Sequence, residues 1–425
     1  MNYYIITIGC QMNKADSERL GAYLESLGFQ LADQPQKADL IALVTCGVRQ
    51  SAEDRIYGLV PRFKKKNPQV KIILTGCLSD RPDVRERLGK KVDVYFNIAD
   101  LPHLATKLGL KAEVGSNQGY LNLDAKYQST YSAYVPIGNG CNNFCSYCVV
   151  PYARGREIYR PHQEILAEVK RLLAKGYKEI ILIAQNVNSY QSAIVGSNSI
   201  IDFADLLKMI DSLEGDFWIR FSTSHPKDLS LKLIKTVARG QKICQHFHVA
   251  LQSGDNEILK AMNRKYTVEH FLSVVENIRS LTPIASITTD IIVGFPGEGA
   301  KQFANTKKLM KKIGFAMAYI AQYSPRPLTV ANKLIDNVKM PEKRRREIEI
   351  NNLLKTGALK FNRQFVGQTI KVLVSDIKRG LAIGKNQQFV TIKFPSNNKN
   401  LIGQFVEVKI IEAQDFGLNG IVNQE

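Results

Sequence analysis

Three short apolar runs open the chain: YYIITIGC (Tyr3–Cys10), LIALVTC (Leu40–Cys46) and KIILTGC (Lys71–Cys77). Each is β-branched and bounded by Gly or polar residues, which predicts a buried strand. Helix-like stretches, Asp16–Leu27 and Ser51–Lys66, lie between them. That alternation predicts a doubly wound parallel sheet. Six further strand-like runs follow with helical stretches between: Ala133–Gly138, Glu179–Ala184, Phe217–Ser222, His246–Leu251, Ile287–Val293 and Ala316–Gln322. They predict a partial (β/α)6 barrel. Pro341–Phe365 spaces Ile348, Leu353, Leu354 and Leu359 as a helix does, and its start is basic. Beyond it, Thr369–Val374, Phe389–Phe394 and Phe405–Ile411 alternate with Gly and Asn turns and predict a small antiparallel β-barrel. The expected fold class is α/β with three domains, over residues 1–118, 127–357 and 360–423.

Composition changes this picture in two ways. With 58 Lys+Arg against 39 Asp+Glu the net charge is +19, which calls for a polyanionic partner, and RNA or DNA is the expected one. No apolar run nears the ~20 residues of a membrane span. Cys10 follows a short apolar run, as in a lipoprotein cleavage site, but no basic region precedes it, so a cytoplasmic location is expected.

Seven cysteines in 425 residues are too few for a disulfide scaffold and point to metal binding or catalysis. Cys10, Cys46 and Cys77 each end a predicted parallel strand, and the carboxyl ends of such strands border the binding crevice. Three thiolates meeting there suit an iron–sulfur cluster with one open iron, or a zinc ion with a fourth ligand elsewhere. Cys141-x3-Cys145-x2-Cys148, in GNGCNNFCSYCVVPYARGRE, puts three more around one centre. A 4Fe-4S cube so held keeps one iron vacant, and S-adenosylmethionine has the amino and carboxylate groups to fill it. This spacing, with Tyr147 before the last Cys, resembles the radical SAM superfamily. A zinc knuckle would want a further Cys or His nearby, and the next His downstream is His162. Polar residues recur at the ends of the barrel strands. Gln185, Asn186, Ser224 and Gln252 are expected to hydrogen-bond the cofactor, and the Gly294–Gly297 turn to let backbone approach it. His246 and His248 face one side by alternation and read as satisfied histidines rather than ligands.

These motifs together, GCQMNKADSE, TCGVRQSAEDRIYG, TGC, GCNNFCSYCVVPYARGRE, AQNVNSY, RFSTSHP, LQSGDNEILKAMNRKYT and YSPRPLT, resemble the radical SAM methylthiotransferases over nearly the whole chain. The C-terminal barrel is similar to a TRAM domain. AQNVNSY and RFSTSHP resemble the branch acting on N(6)-isopentenyladenosine next to the anticodon of tRNA. Sisters acting on threonylcarbamoyl-adenosine usually lack QNVNSY and TSHP; those acting on a ribosomal protein usually read GCPKN. This chain departs from the pattern at Gly299, where Thr is common, and at Leu328, where Gly is common.

The resemblance implies two 4Fe-4S clusters, one on Cys141, Cys145 and Cys148 and one on Cys10, Cys46 and Cys77. It implies that one S-adenosylmethionine methylates an added sulfide and a second is cleaved to a radical that takes the hydrogen from carbon 2 of the adenine. It further implies the tRNA anticodon loop as partner and an electron donor such as a flavodoxin or ferredoxin; the sulfur donor stays open. Arg154, Arg156, Arg326, Arg344, Arg345 and Lys371 are the expected RNA contacts. The alternatives are a sister methylthiotransferase on the other two substrates, and a non-catalytic metal-containing RNA-binding protein.

Overall fold

The computed structural model describes residues 1–111, 119–194 and 196–422. The domain ends expected at 118 and 423 lie outside the described residues.

The N-terminal sheet is parallel, with strands β1 (Asn2–Thr7), β2 (Gln30–Leu31), β3 (Leu40–Thr45), β4 (Lys71–Gly76) and β5 (Val94–Tyr95) in the order β2-β1-β3-β4-β5. Every residue of β3 is buried, as befits a central strand covered on both faces. Helices α1 (Gln11–Ser26) and α2 (Gln50–Lys66) cross over between strands. Helix α1 starts five residues before the helical pattern in the sequence. Asn13, Asp16, Ser17, Glu18 and Arg19 are all buried in it, because it is sandwiched between its own sheet and the next domain. A helix covered on both sides shows no polar face from which to read a period.

Six parallel strands form the central domain: β6 (Ser132–Pro136), β7 (Glu179–Ile183), β8 (Trp218–Phe221), β9 (His246–His248), β10 (Ser286–Val293) and β11 (Met317–Gln322). Ladders join β6-β7-β8 and β9-β10-β11. Single pairings Ile219–Ile243 and Ser224–Val249 stitch the two halves together. Among the described residues no ladder returns from β11 to β6, so the barrel is open there. Helices α3 (His162–Ala174), α4 (Phe203–Asp211), α5 (Leu231–Arg239), α6 (Val268–Leu281), α7 (Ala300–Ile313) and α8 (Met340–Arg363) complete six βα units.

The C-terminal domain is a closed five-stranded barrel over Thr369–Lys378, Leu381–Lys385, Thr391–Pro395, Phe405–Gln414 and Gly417–Ile421. Four seams are antiparallel; the one between Thr391–Pro395 and Gly417–Ile421 is parallel. Phe394 belongs to its core, with Val372, Ile392 and Val408. Phe389 and Phe405 do not. Phe389 stacks on His246 of β9 (centroids 5.0 Å apart, planes at 15°), and Phe405 packs on Trp218 of β8 at 4.7 Å. These aromatics dock the small barrel onto the floor of the large one. No described helix is long and apolar enough to cross a membrane.

Candidate functional site

The order β1-β3-β4 sets three strand ends side by side, and Cys10, Cys46 and Cys77 sit just past them. Gly9 has φ +135, and a Cβ there would lie 2.7 Å from Cys46 Cβ and 2.6 Å from Asn13 Nδ2. Only glycine lets the Cys10 loop come this close to Cys46. Burial, and then the neighbouring Cys77, push the Cys46 thiol up to about 11. A thiol so placed is neutral at pH 7 and ionises only when a metal replaces its proton.

The second triad occupies the loop after β6. Backbone from another part of the barrel holds this loop: Ser146 N–H donates to Met262 O at 2.9 Å, its Oγ donates to Ala261 O at 2.8 Å, and Asn263 Nδ2 donates to Phe144 O at 2.8 Å. Arg264 Nη1 donates to Cys145 Sγ at 3.4 Å, while its Nε donates to the Tyr266 hydroxyl at 3.1 Å. Arg264 is a buried cation against a cysteine, and the sequence pattern gave no sign of it beyond its place in LQSGDNEILKAMNRKYT. Burial, then Cys145 and Cys141, and more weakly Cys77 of the other triad, raise the Cys148 thiol. Arg154, six residues past Cys148, donates to Asn13 and Asp16 of α1, three and six residues past Cys10, so the loops of the two triads meet across the domain boundary.

Among the described residues no three Cys, His, Asp or Glu side chains close around a single-ion position. One zinc draws its thiolates in to ~2.3 Å. Cys46 and Cys77 are buried, Cys141, Cys145 and Cys148 are half-buried and Cys10 is exposed; thiols grouped three and three, one group beside a glycine cradle that a Cβ would fill, fit iron–sulfur ligation.

Beside the N-terminal triad lies a cavity of about 750 Å³, within the range for ligand sites. Cys10, Cys46, Arg49 and Arg55 line it from one domain, Arg220, His248, Asp290 and Tyr319 from the barrel, and Phe389 from the C-terminal domain.

The expected cofactor residues separate into two groups. Gln185 Oε1 accepts from Gly140 N–H at 2.6 Å and so positions the backbone leading into Cys141. Asn186 is committed to the rim: its Nδ2 donates to Asp228 and its Oδ1 accepts from the His225 N–H. Gly294 has φ +70, but the space a side chain would need is filled by the Lys343 stem, so its glycine serves packing against α8. Ser224 and Gln252 differ. Ser224 Oγ is buried with no partner in the protein, and Gln252 holds φ +69 with its side-chain amide unpaired among the described residues. A buried unpaired hydroxyl is costly unless something bound satisfies it.

The expected RNA contacts also divide. Arg154 is buried; its Nη2 donates to Asp16 at 2.6 Å and to Asn13 at 2.9 Å, and its Nη1 to Asn139 at 3.0 Å. Arg326 is buried too and donates to Gln50 Oε1 and Val48 O. Both are struts between domains with no face left for a phosphate, which corrects the expectation from their position. Lys371 is paired with Asp216 at 2.7 Å, and Arg345 with Glu342 and Glu349. Arg156 is exposed over the Phe144 ring, and Arg344 is exposed with no acidic partner among the described residues. Lys343 and Arg346 of the same basic run are buried on Asp336 and Glu298.

The chain matches the model of the Radical SAM superfamily over residues 135–310, an uncharacterised protein family (UPF0004) over 2–97 and the TRAM domain over 363–422. It is 41% identical to the tRNA-2-methylthio-N(6)-dimethylallyladenosine synthase of Syntrophomonas wolfei, covering 100% of this chain and 98% of that one. It is 38% identical to the enzyme of the same name from Carboxydothermus hydrogenoformans, with 99% of each covered. Among solved structures, the radical S-adenosylmethionine methyltransferase TsrM of Kitasatospora setae with cobalamin and a [4Fe-4S] cluster bound superposes with TM-score 0.56 at 12% identity, covering 90% of this chain and 80% of that one, a likeness of fold alone.

Proposed function

Since the chain belongs to the tRNA-2-methylthio-N(6)-dimethylallyladenosine synthases, we propose that its two cysteine triads and the cavity beside them form one reaction chamber. The protein is a radical SAM methylthiotransferase that acts on tRNA, adding a methylthio group to carbon 2 of N(6)-isopentenyladenosine next to the anticodon. Its family works with a 4Fe-4S cluster and S-adenosylmethionine. Neither a sister substrate nor a non-catalytic role is favoured by these relatives.

The finer assignments are ours. Cys141, Cys145 and Cys148 hold the cluster that binds S-adenosylmethionine, and Cys10, Cys46 and Cys77 hold a second 4Fe-4S cluster. When bound, the first supplies the electron for radical formation and the second carries the sulfur to be transferred. Arg264 sets a fixed positive charge against the Cys145 ligand. Ser224 and Gln252, the rim residues with unspent polar groups, contact S-adenosylmethionine. Gln185, Asn186 and Gly294 shape the rim around it. Carbon 2 of adenine is an unactivated C–H, which acid–base groups cannot readily open; the chamber therefore needs positioning more than proton transfer. The target lies in a single-stranded loop and is splayed out at a cost of a few kcal/mol.

We divide the labour as residues 1–118 for the second cluster, 127–357 for the radical and 360–423 for RNA. Arg156 and Arg344 are the phosphate contacts we retain. A flavodoxin or ferredoxin serves as electron donor, and the enzyme works in the cytoplasm, where its tRNA is. The observation that carries the reading is that Arg154, six residues past Cys148, bonds Asn13 and Asp16, three and six residues past Cys10, and so joins the two cysteine loops, with a cavity opening beside Cys10 and Cys46.

The test is iron and product together. Anaerobically reconstituted protein should hold about eight irons per chain, two cubes' worth. Cys145→Ala should halve that and abolish both S-adenosylmethionine cleavage and 2-methylthio product in tRNA nucleosides analysed by mass. Cys46→Ala should halve it too, abolish product and leave cleavage. A wild-type count near four would remove the second cluster.

A further inference from the structure

The cavity is lined by arginines from two domains, yet the inner wall carries one carboxylate, Asp290 on β10. Its Oδ2 accepts from His248 Nε2 at 3.2 Å. His248 is in turn fixed through Nδ1, 3.0 Å from Thr288 Oγ1, and Thr288 Oγ1 lies 2.9 Å from His246 Nε2. With His248 neutral, its Nε2–H serves Asp290, so Nδ1 accepts the Thr288 hydroxyl proton, and Thr288 accepts from His246 Nε2–H. The chain of donors thus runs one way and ends on the carboxylate. His246, at the far end, is stacked on Phe389. Asp290 Oδ1 receives no hydrogen bond among the described residues, and the side chain is 38% exposed. Across the ladder from Asp290 stands Tyr319, itself 45% exposed and also lining the cavity.

A fixed carboxylate is a poor wall for a chamber that receives RNA phosphates, so it has to face a donor. Adenine offers one on its edge, the N6–H; guanine presents an acceptor, O6, at the same place. An aromatic ring beside that acceptor is what an extruded base stacks on. Resting on the function proposed above, we propose that Asp290, oriented by His248 and Thr288, accepts the N6–H of the target adenosine while the base lies on Tyr319. The substituted amine of N(6)-isopentenyladenosine keeps one N–H, so the substituent leaves this contact intact.

The test is binding of anticodon stem-loop RNAs to the full-length, cluster-loaded protein, by anisotropy without oxygen. One RNA carries N(6)-isopentenyladenosine, a second the N(6)-methyl-N(6)-isopentenyl analogue, which has no N–H, and a third 2′-deoxyribose at the target. Wild type should prefer the first over the second by about 10- to 100-fold, the worth of a hydrogen bond to a charged group. Asp290→Ala should erase that preference, and Asp290→Asn, which keeps a carbonyl acceptor, should restore part of it. Tyr319→Leu should weaken both RNAs by one common factor. Equal weakening of both RNAs by Asp290→Ala would overturn the proposal. So would a 2′-deoxy RNA that reproduces the loss, since Asp290 would then face the ribose. Absence of methylthio product from wild type would strike the proposed function instead, and the binding ratios would still judge Asp290.

Discussion

Leu328 is one of seven described non-glycine residues with positive φ. Its φ is +72, a left-handed conformation that costs an L-residue about 1–2 kcal/mol, and its side chain is 51% exposed. Little packing offsets that cost, which is why glycine suits the position. Leu328→Gly should therefore raise stability by about 1 kcal/mol in denaturant melts; a loss would show that the leucine packs on something. His225 tells the opposite story, of a residue silenced by its surroundings. Burial, then the cations Arg264 and Lys227, depress its pKa to about 2. The unfolded chain takes up a proton near pH 6.5 and the folded chain does not, so stability falls as pH drops below about 6.5 and keeps falling toward 2. Between pH 6.5 and 5 this amounts to about 2 kcal/mol. His225→Gln should flatten that acid limb in unfolding curves at pH 7 and 5, and an unchanged slope would place the titrating group elsewhere.

At the scale of elements, the loop 386–389 of the C-terminal barrel decides how the small domain sits. Buried Arg220 of β8 pairs with Glu179 at 2.6 Å and donates to the carbonyls of Asn386 and Gln387 at 2.7 and 3.1 Å. Ser286 Oγ donates to Gln388 O. One side chain thus satisfies a buried carboxylate and two loop carbonyls. Arg220→Met strands both carbonyls, leaves Glu179 with only the Ser132 hydroxyl, and should destabilise docking by about 3–5 kcal/mol. Limited proteolysis should then release the fragment C-terminal to α8; resistance equal to wild type would mean the aromatic contacts suffice. Nothing in the sequence marks this seam, since Phe389 and Phe405 stand at the start of apolar runs that read as strands of the small barrel. The large strands were legible because each is a β-branched run bounded by turn residues. LAIGK and GLNGI were not: three glycines in their ten residues interrupt the apolar alternation. That Cys10, Cys46 and Cys77 lie side by side was legible because they follow strands that are neighbours in a parallel sheet, and that Cys141, Cys145 and Cys148 share one loop was legible from their spacing. Arg154 and Arg326 misled because a linear pattern tells that a residue borders the barrel rim, not that another domain covers the rim.

For the whole molecule, the central demand is that two triads borne by separate domains keep one distance. The struts that hold it are ionic and buried: Arg154 to Asp16 at 2.6 Å, Arg19 to Glu168 at 3.3 Å, and Arg326 to the loop after Cys46. Such pairs add little net stability against apolar substitutes, but they fix one geometry, and removing one partner leaves a buried charge uncompensated. Arg154 is the most telling, since it follows the Cys141–Cys148 loop yet grips the helix that follows Cys10. Arg154→Met leaves Asp16 and Asn13 without their partner and frees the N-terminal domain to shift. Neither triad loses a ligand, so iron should stay near its full count. On the proposed division of labour, S-adenosylmethionine cleavage needs only Cys141, Cys145 and Cys148 and should persist, whereas transfer needs both triads and should fall by tenfold or more, as a misplacement of about 1 Å does to a positioned reaction. The quantity to measure is methylthio-adenosine formed per 5′-deoxyadenosine released. Arg154→Lys, which keeps the charge but loses the fork, should lie between. A ratio equal to wild type in Arg154→Met, with iron intact, would mean that the spacing of the triads is held by the apolar contacts of Ile183 with the N-terminal core rather than by charge.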